Sequence, residues 1–180
     1  FVKYWLHNEF LVLGQGEKMA KSGENFIILK TLEEQGFHPL DYRYFCLGTQ
    51  YRVPLMFSHE ALEGAKIARR RLVEKVLEFK QGKGRRDTKA QQSFLQRFLD
   101  DINDDLNTPK ALATLWEVVK DEELKTVDKY SLLMKFDEIL GLELKTAKKE
   151  KVTIPPNIKK LAEERQQARE RKDWKKADAL

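Results

Sequence analysis

The sequence holds a single cysteine, Cys46, among 180 residues. No internal disulfide can form, so a reducing, cytoplasmic compartment is the expectation. A lone thiol cannot build a typical structural zinc site, and its place in the apolar run Tyr44-Phe45-Cys46-Leu47 reads as packing. Histidine is scarce too: His7, His38 and His59, none with a second histidine or a cysteine at ligand spacing. We read His7 as a packed or hydrogen-bonded strand-end residue and the other two as surface residues at helix starts. No run approaches ~18 consecutive apolar residues, so no membrane-spanning helix is expected. The N-terminus has no signal-peptide pattern. Proline is sparse, five residues, and Pro39, Pro109 and the Pro155-Pro156 pair stand where helices are expected to begin.

Charge, by contrast, is plentiful. Charged residues make up 35% and hydrophobic ones 41% of the chain, with a mean hydropathy of −0.61. That balance suits amphipathic helices with solvated outer faces. The net charge of +5 and the pI near 9.1 permit an anionic partner without demonstrating one. The chain opens in mid-pattern, Phe1-Val2-Lys3-Tyr4-Trp5, without an initiator methionine; we read it as a piece of a longer protein.

Residues 1–13 are aromatic, β-branched and aliphatic, and predict one or two short strands. Gly14 and Gly16 open a polar loop that ends near Asn25. Short helices are expected over 28–35 and 39–48, divided by Gly36 and Pro39. Ser58 is a candidate N-cap with Phe57 and Leu62 as its hydrophobic staple. Ala61, Leu62, Ala65, Ala68, Leu72, Val76 and Phe79 then mark one long amphipathic helix to about Lys80. Gly82 and Gly84 break it. Phe94, Leu95, Phe98, Leu99, Ile102 and Leu106 form the clearest stripe. Thr108 reads as the cap of the next helix, whose stripe is Leu112, Leu115, Trp116 and Val119. Asp128 reads as the cap of a fourth helix, stopped by Gly141. Four such stripes predict an antiparallel bundle. A polar linker and one last charged helix over 157–180 follow.

The polar loop carries the chemistry. Gly16-Glu17-Lys18-Met19-Ala20-Lys21-Ser22-Gly23 lacks the glycine that a P-loop places just before its lysine, and it matches no Rossmann fingerprint. Lys18-Met19-Ala20-Lys21-Ser22 instead resembles the K-M-S-K-S signature of class I aminoacyl-tRNA synthetases, with alanine at the central serine. Its context extends the likeness. Trp5-x-His7, Asn25-Phe26, Arg43-Tyr44-Phe45, Tyr51-Arg52-x-Pro54-Leu55-x-Phe57-Ser58, Asp104-Asp105-Leu106-Asn107-Thr108-Pro109 and Ala168-Arg169-x-x-Lys172-Asp173-Trp174-x-x-Ala177-Asp178 follow in order. The succession resembles the later part of the cysteinyl-tRNA synthetase family across essentially the whole chain.

The resemblance implies a ligase that joins cysteine to tRNA(Cys) in two steps, through cysteinyl-adenylate. In the first step charge develops on departing pyrophosphate, where an ammonium group stabilises the transition state more than the ground state. Lys21 is the implied phosphate contact, with Lys18 supporting it and Ser22 donating a hydrogen bond or capping the next helix. ATP with Mg2+ is the implied substrate. The family's zinc, and its H-I-G-H signature, belong to the chain before this segment, so these 180 residues alone are expected to be inactive. The implied layout is mainly α: residues 1–57 as a short strand and loop remnant of a Rossmann-type catalytic domain with its stem region, 58–144 as a four-helix tRNA-binding bundle, 145–154 as a linker, and 155–180 as the start of the anticodon-binding region. Within that region Arg169 and Asp178 are candidate anticodon contacts.

Other features read more plainly. Asp100, Asp101, Asp104 and Asp105 sit at a helix end and hold a turn; we assign them no metal. Lys66, Arg69, Arg70, Arg71 and Lys75, with Lys83, Arg85 and Arg86 beyond, are either a solvated face or a tRNA-backbone contact. Trp116 is expected in the core and Trp174 packed. A monomer that does not engage membranes is expected. Two alternatives stay open: a cysteine-activating ligase with a small-amine acceptor, and a non-catalytic tRNA-binding helical module.

Overall fold

The N-terminal apolar run yields one paired strand. In the computed structural model, which describes residues 2–13, 17–18, 28–84, 87–148, 156–171 and 173–179, β1 (Leu11–Leu13) is the middle of a three-stranded sheet of order β2-β1-β3. β2 (Glu17–Lys18) runs antiparallel to it, Val12 opposite Lys18 and Leu13 opposite Glu17. β3 (Leu55–Phe57) runs parallel to it, Leu11 opposite Leu55 through Leu13 opposite Phe57. A parallel pair needs a long crossover, and the chain between them includes α1 (Leu29–Glu34) and α2 (Pro39–Leu47). Val12 is buried while its neighbours are half-buried, the alternation of a strand covered on one face.

Residues 2–10 correct the sequence reading, since none of them forms a ladder among the described residues. Tyr4, Trp5, Leu6 and Phe10 stay exposed. Strand propensity is largely a preference for a half-buried pleated surface, and among the described residues these find no such surface. Among the described residues, Glu9, donating to the Tyr51 carbonyl, and Phe10, accepting from Leu55 N–H, tie the segment to the chain before β3 (2.8 and 3.0 Å).

Local chemistry sets the helix ends. Gly36 adopts φ +85° after α1, where a left-handed residue costs glycine nothing. His38 Nδ1 accepts from Leu40 N–H, and Asp41 Oδ2 accepts from His38 N–H (3.1 and 2.8 Å), a reciprocal cap on α2. Ser58 Oγ accepts from Ala61 N–H at 3.1 Å and starts α3 (His59–Phe79). Phe57 and Leu62 are buried together with Leu32, as a staple requires.

α3, α4 (Thr88–Asn103), α5 (Thr108–Lys120) and α6 (Thr126–Leu140) surround the main core. Leu72, Val76, Phe98, Leu115, Val118, Leu132 and Phe136 are essentially inaccessible there. The Phe98 and Phe136 rings stack with centroids 4.0 Å apart. Two caps differ from the sequence reading. Asn107, not Thr108, caps α5 through Lys110 N–H at 3.3 Å; its side-chain amide oxygen is well suited to that position. Asp128 lies inside α6, which begins at Thr126. It is 1% exposed, and its Oδ1 accepts from Asp87 N–H and Gln91 Nε2 (2.9 and 2.6 Å), so it secures the start of α4 instead. Trp116 is half-buried, its indole N–H donating to Tyr44 Oη at 2.8 Å. Gly141 ends α6 at φ +63°. Leu142 and Leu144 are then buried, their N–H groups held by the Asp137 carboxylate at 2.7 and 2.8 Å.

These elements form one compact unit, residues 1–149; residues 150–180 form a second. The second unit holds α7 (Pro156–Glu170) and α8 (Trp174–Ala179), where the sequence predicted one helix. The break falls where Asp173 N–H donates to the Ala168 carbonyl and Ala177 N–H to the Asp173 carbonyl, the pattern of a new helix start (2.9 and 3.0 Å). Among the described residues Ala168 and Ala177 are buried there, and Trp174, expected to pack, is 59% exposed.

Candidate functional site

The backbone of Lys18 is held in β2 by its pairing with Val12. Lys21 and Ser22 lie outside the described residues, as do Gly14, Gly16 and Gly23. What the structure supplies is the frame around them: β2 bonds to β1, β1 to β3, and β3 leads through Ser58 into α3.

A polar cluster anchors that frame to the helices. Arg52 Nε donates to Asp105 Oδ2 at 2.7 Å and Nη2 to Oδ1 at 3.3 Å. Tyr51 Oη donates to Oδ1 at 2.6 Å, and Gln50 Nε2 to the Asp105 carbonyl at 3.1 Å. The hydrogen bond from Arg52, followed by that from Tyr51, holds the Asp105 carboxyl below its ordinary value. The same carboxylate, by accepting the phenolic proton, pushes the Tyr51 hydroxyl up. Asp105 and Leu106 both have positive φ, 54° and 53°. The segments around Arg52 and Asp105, far apart in sequence, are thus brought into direct contact, which sequence reasoning missed.

α2 fastens to the helices in three places that were also missed. Arg69 Nε donates to Asp41 Oδ1 at 2.6 Å, with both side chains buried. Arg43 Nε donates to the Leu140 carbonyl at 2.6 Å, at the C-terminus of α6, where a cation is favoured. Tyr44 receives the Trp116 indole proton. Arg69 therefore corrects the reading of a basic surface stripe: it faces inward because Asp41 neutralises it there. Lys66 pairs with Glu63 (3.5 Å) and lies over the Phe37 ring (4.8 Å); Lys75 pairs with Glu78 (2.8 Å). Arg70, Arg71 and Lys83 are exposed, and Arg85 and Arg86 lie outside the described residues.

The acidic run is engaged residue by residue. Asp100 accepts from Gln96 (2.8 Å), Asp101 from Thr114 Oγ1 (2.7 Å), and Asp104 faces Lys110 Nζ at 3.9 Å. The zinc implied by the resemblance finds no fit here. Cys46 is the only cysteine of the sequence, and no cluster among the described residues groups the donors to hold a metal ion. His7 stacks on Trp5 and is exposed, His38 caps α2, and His59 meets the Phe57 ring edge-on.

A cavity of about 400 Å³ opens beside the Asp105 cluster, lined among others by Tyr42, Cys46, Leu47, Tyr51 and Leu55. Burial pushes the Cys46 thiol up. Burial, with Cys46 adjacent, pushes the Tyr42 hydroxyl up to about 12. The thiol is therefore protonated near neutral pH and a poor nucleophile.

In the second unit, Arg169 lies in the last turn of α7 and Asp178 in α8, both exposed. Arg165 Nε donates to the Ala177 carbonyl at 3.0 Å and holds the two helices together.

Residues 1–67 match the family described as tRNA synthetases class I (C) catalytic domain, and residues 97–145 match the DALR domain. The chain belongs to the class I aminoacyl-tRNA synthetases. Over 98% of its length it is 39% identical to a cysteine–tRNA ligase of Borrelia hermsii (strain HS1 / DAH), covering 40% of that protein. It is likewise 39% identical, over 98% of its length, to cysteine–tRNA ligase 1 of Burkholderia lata, covering 36% of it. Against the cysteine–tRNA ligase of Treponema denticola it is 36% identical over 100% of its length, covering 42% of that protein. Within its class the chain is thus a segment of the cysteinyl-tRNA synthetase family, spanning about 40% of the length of these curated relatives.

Proposed function

We propose that this segment works within a cysteine–tRNA ligase that activates cysteine with ATP and transfers it to tRNA(Cys) in the cytoplasm, as a monomer. The observation that carries the reading is the ordered pair of domain matches on one chain, with the Lys18-Met19-Ala20-Lys21-Ser22 loop inside the first. The cysteine carboxylate attacks the α-phosphorus of ATP and pyrophosphate departs. Lys21 meets the growing negative charge, Lys18 supports it, and Ser22 donates a hydrogen bond. Mg2+ accompanies ATP as substrate. Zinc, if held, is held by parts of the enzyme other than these residues.

In this layout residues 1–57 close a Rossmann-type catalytic domain and its stem region. Residues 58–144 form an antiparallel four-helix bundle that receives tRNA, with Arg70 and Arg71 among the exposed cations available to its backbone. Residues 145–154 link it to an anticodon region that begins at 155 and presents Arg169 and Asp178. The test is cysteine-dependent exchange of pyrophosphate into ATP by the full-length enzyme, followed by product analysis with tRNA(Cys) or a small amine as acceptor. Exchange with cysteinyl-tRNA as product supports the proposal. A small-amine product redirects it to another ligase, and absence of exchange ends it.

A further inference from the structure

The cluster on Asp105 is an unusual way to join two parts of a protein. Its side chains are largely solvated: the Arg52 and Asp105 side chains are 66% and 49% exposed. Exposed ion pairs contribute little to stability. Yet this one sits on a turn that is unfavourable by itself. Asp105 and Leu106 are consecutive non-glycine residues at φ 54° and 53°, a region that aspartate visits more readily than most residues and that a bulky leucine disfavours. Such a backbone persists where its surroundings over-determine it. Here the surroundings are Gln50, Tyr51 and Arg52, which converge on one residue. The arrangement therefore fixes geometry more than it adds stability.

The geometry it fixes leads to the signature loop. Residues 50–52 lie two residues before β3, and Leu55 N–H bonds to the Phe10 carbonyl at the head of β1. The Tyr51 carbonyl accepts from Glu9 N–H. β1 pairs with β3 over Leu11–Leu13, and β2, which carries the Lys18 backbone, pairs with β1. An unbroken series of hydrogen-bonded segments thus runs from the α4–α5 turn to the strand beside the loop. Phe57 anchors the far end of β3 against Leu32 and Leu62. Asp105 is the anchor at its near end.

We infer that Asp105 is a positioning residue for adenylate formation: it holds the β3 end of the sheet to the turn between α4 and α5 and so sets where the strand beside the lysine loop stands. Its partners are Gln50, Tyr51 and Arg52, so it acts through them. Its loss lets that end of the sheet shift, and small displacements of reacting groups are costly in rate. The inference rests on the ligase reading above and names a residue that reading does not use.

The test uses the full-length enzyme and measures single-turnover adenylate formation, the KM for ATP, and tRNA affinity. Asp105→Gly removes the carboxylate while relaxing the backbone at a positive φ, so loss of fold is not its expected effect. It is expected to slow adenylate formation about tenfold, while tRNA Kd changes less than about twofold, because the helix surfaces are untouched. Asp105→Asn keeps an acceptor oxygen and suits a left-handed backbone; it is expected to recover part of the rate. Arg52→Ala with Asp105→Gly is expected to be no slower than Asp105→Gly alone, since both remove one interaction. A wild-type rate in Asp105→Gly, or single effects that multiply in the double variant, overturns the inference. If the unmodified full-length enzyme shows no cysteine-dependent exchange, the ligase reading fails instead, so the two failures are distinguishable.

Discussion

Asp41→Ala is the perturbation whose cost the structure defines best. The Asp41 and Arg69 side chains are 2% and 8% exposed and meet at 2.6 Å. Removing the carboxylate takes the Asp41 partner from a buried guanidinium. Breaking one partner of a buried pair costs about 3–5 kcal/mol. Asp41 also caps α2 through His38 N–H, and loss of a cap costs about 1 kcal/mol more. Together these come to about 4–6 kcal/mol, a large share of the 5–15 kcal/mol typical of a domain. Urea unfolding of the chain, followed by far-ultraviolet ellipticity, measures it as a shift in midpoint at unchanged slope. The double variant Asp41→Leu with Arg69→Met removes both charges and keeps volume; it is expected to recover most of the loss, since apolar replacements of buried pairs are often neutral or better. A cost below about 1 kcal/mol for Asp41→Ala, or a double variant less stable than the single one, refutes the reasoning.

Other outcomes follow from the same geometry. Burial raises the Cys46 thiol pKa, so iodoacetamide should label it more slowly than free cysteine at neutral pH, and the rate should climb as pH rises past the free-thiol value of about 8.5; labelling as fast as free cysteine contradicts this. Asp105 has a depressed folded pKa, so its contribution is present above the unfolded value, about 3.9, and is lost only as pH falls through the lower folded value. The difference in unfolding midpoint between wild type and Asp105→Asn should therefore be flat between about pH 5 and 8. The difference itself is expected to be small for so exposed a pair, and one that varies with pH across that plateau contradicts the assignment. Arg169→Ala in the full enzyme should weaken discrimination among tRNA anticodon variants; unchanged discrimination removes Arg169 from that surface.

The helices were legible because their apolar stripes repeat at the helical period. Leu72, Val76, Phe98 and Leu115 stand on the stripes read from the sequence, and all are buried. Helix ends were less so. Asn107 and Thr108 are both capping residue types, and only the chain's path decides between them. Asp128 looked like a cap but is recruited by the Asp87 and Gln91 groups of a distant segment. Arg69 was illegible for a related reason. It stands among Lys66, Arg70 and Arg71, and nothing local reveals that Asp41, 28 residues away, meets it inside. The Asp105 cluster spans 53 to 55 positions and could not be read from spacing. The strand prediction over residues 1–13 failed where aromatic content was counted without a sheet to receive it. The signature loop was found by its residue order, and of its implied catalytic residues Lys18, Lys21 and Ser22 the last two fall outside the described residues.

The most direct test of the central claim is single-turnover formation of cysteinyl-adenylate by full-length Lys21→Ala, with tRNA(Cys) affinity measured in parallel. One lost charge contact to the departing phosphates removes about 3 kcal/mol of transition-state stabilisation. The account predicts adenylate formation slowed about a hundredfold while tRNA binding is nearly unchanged. Adenylate formation at the wild-type rate would contradict it.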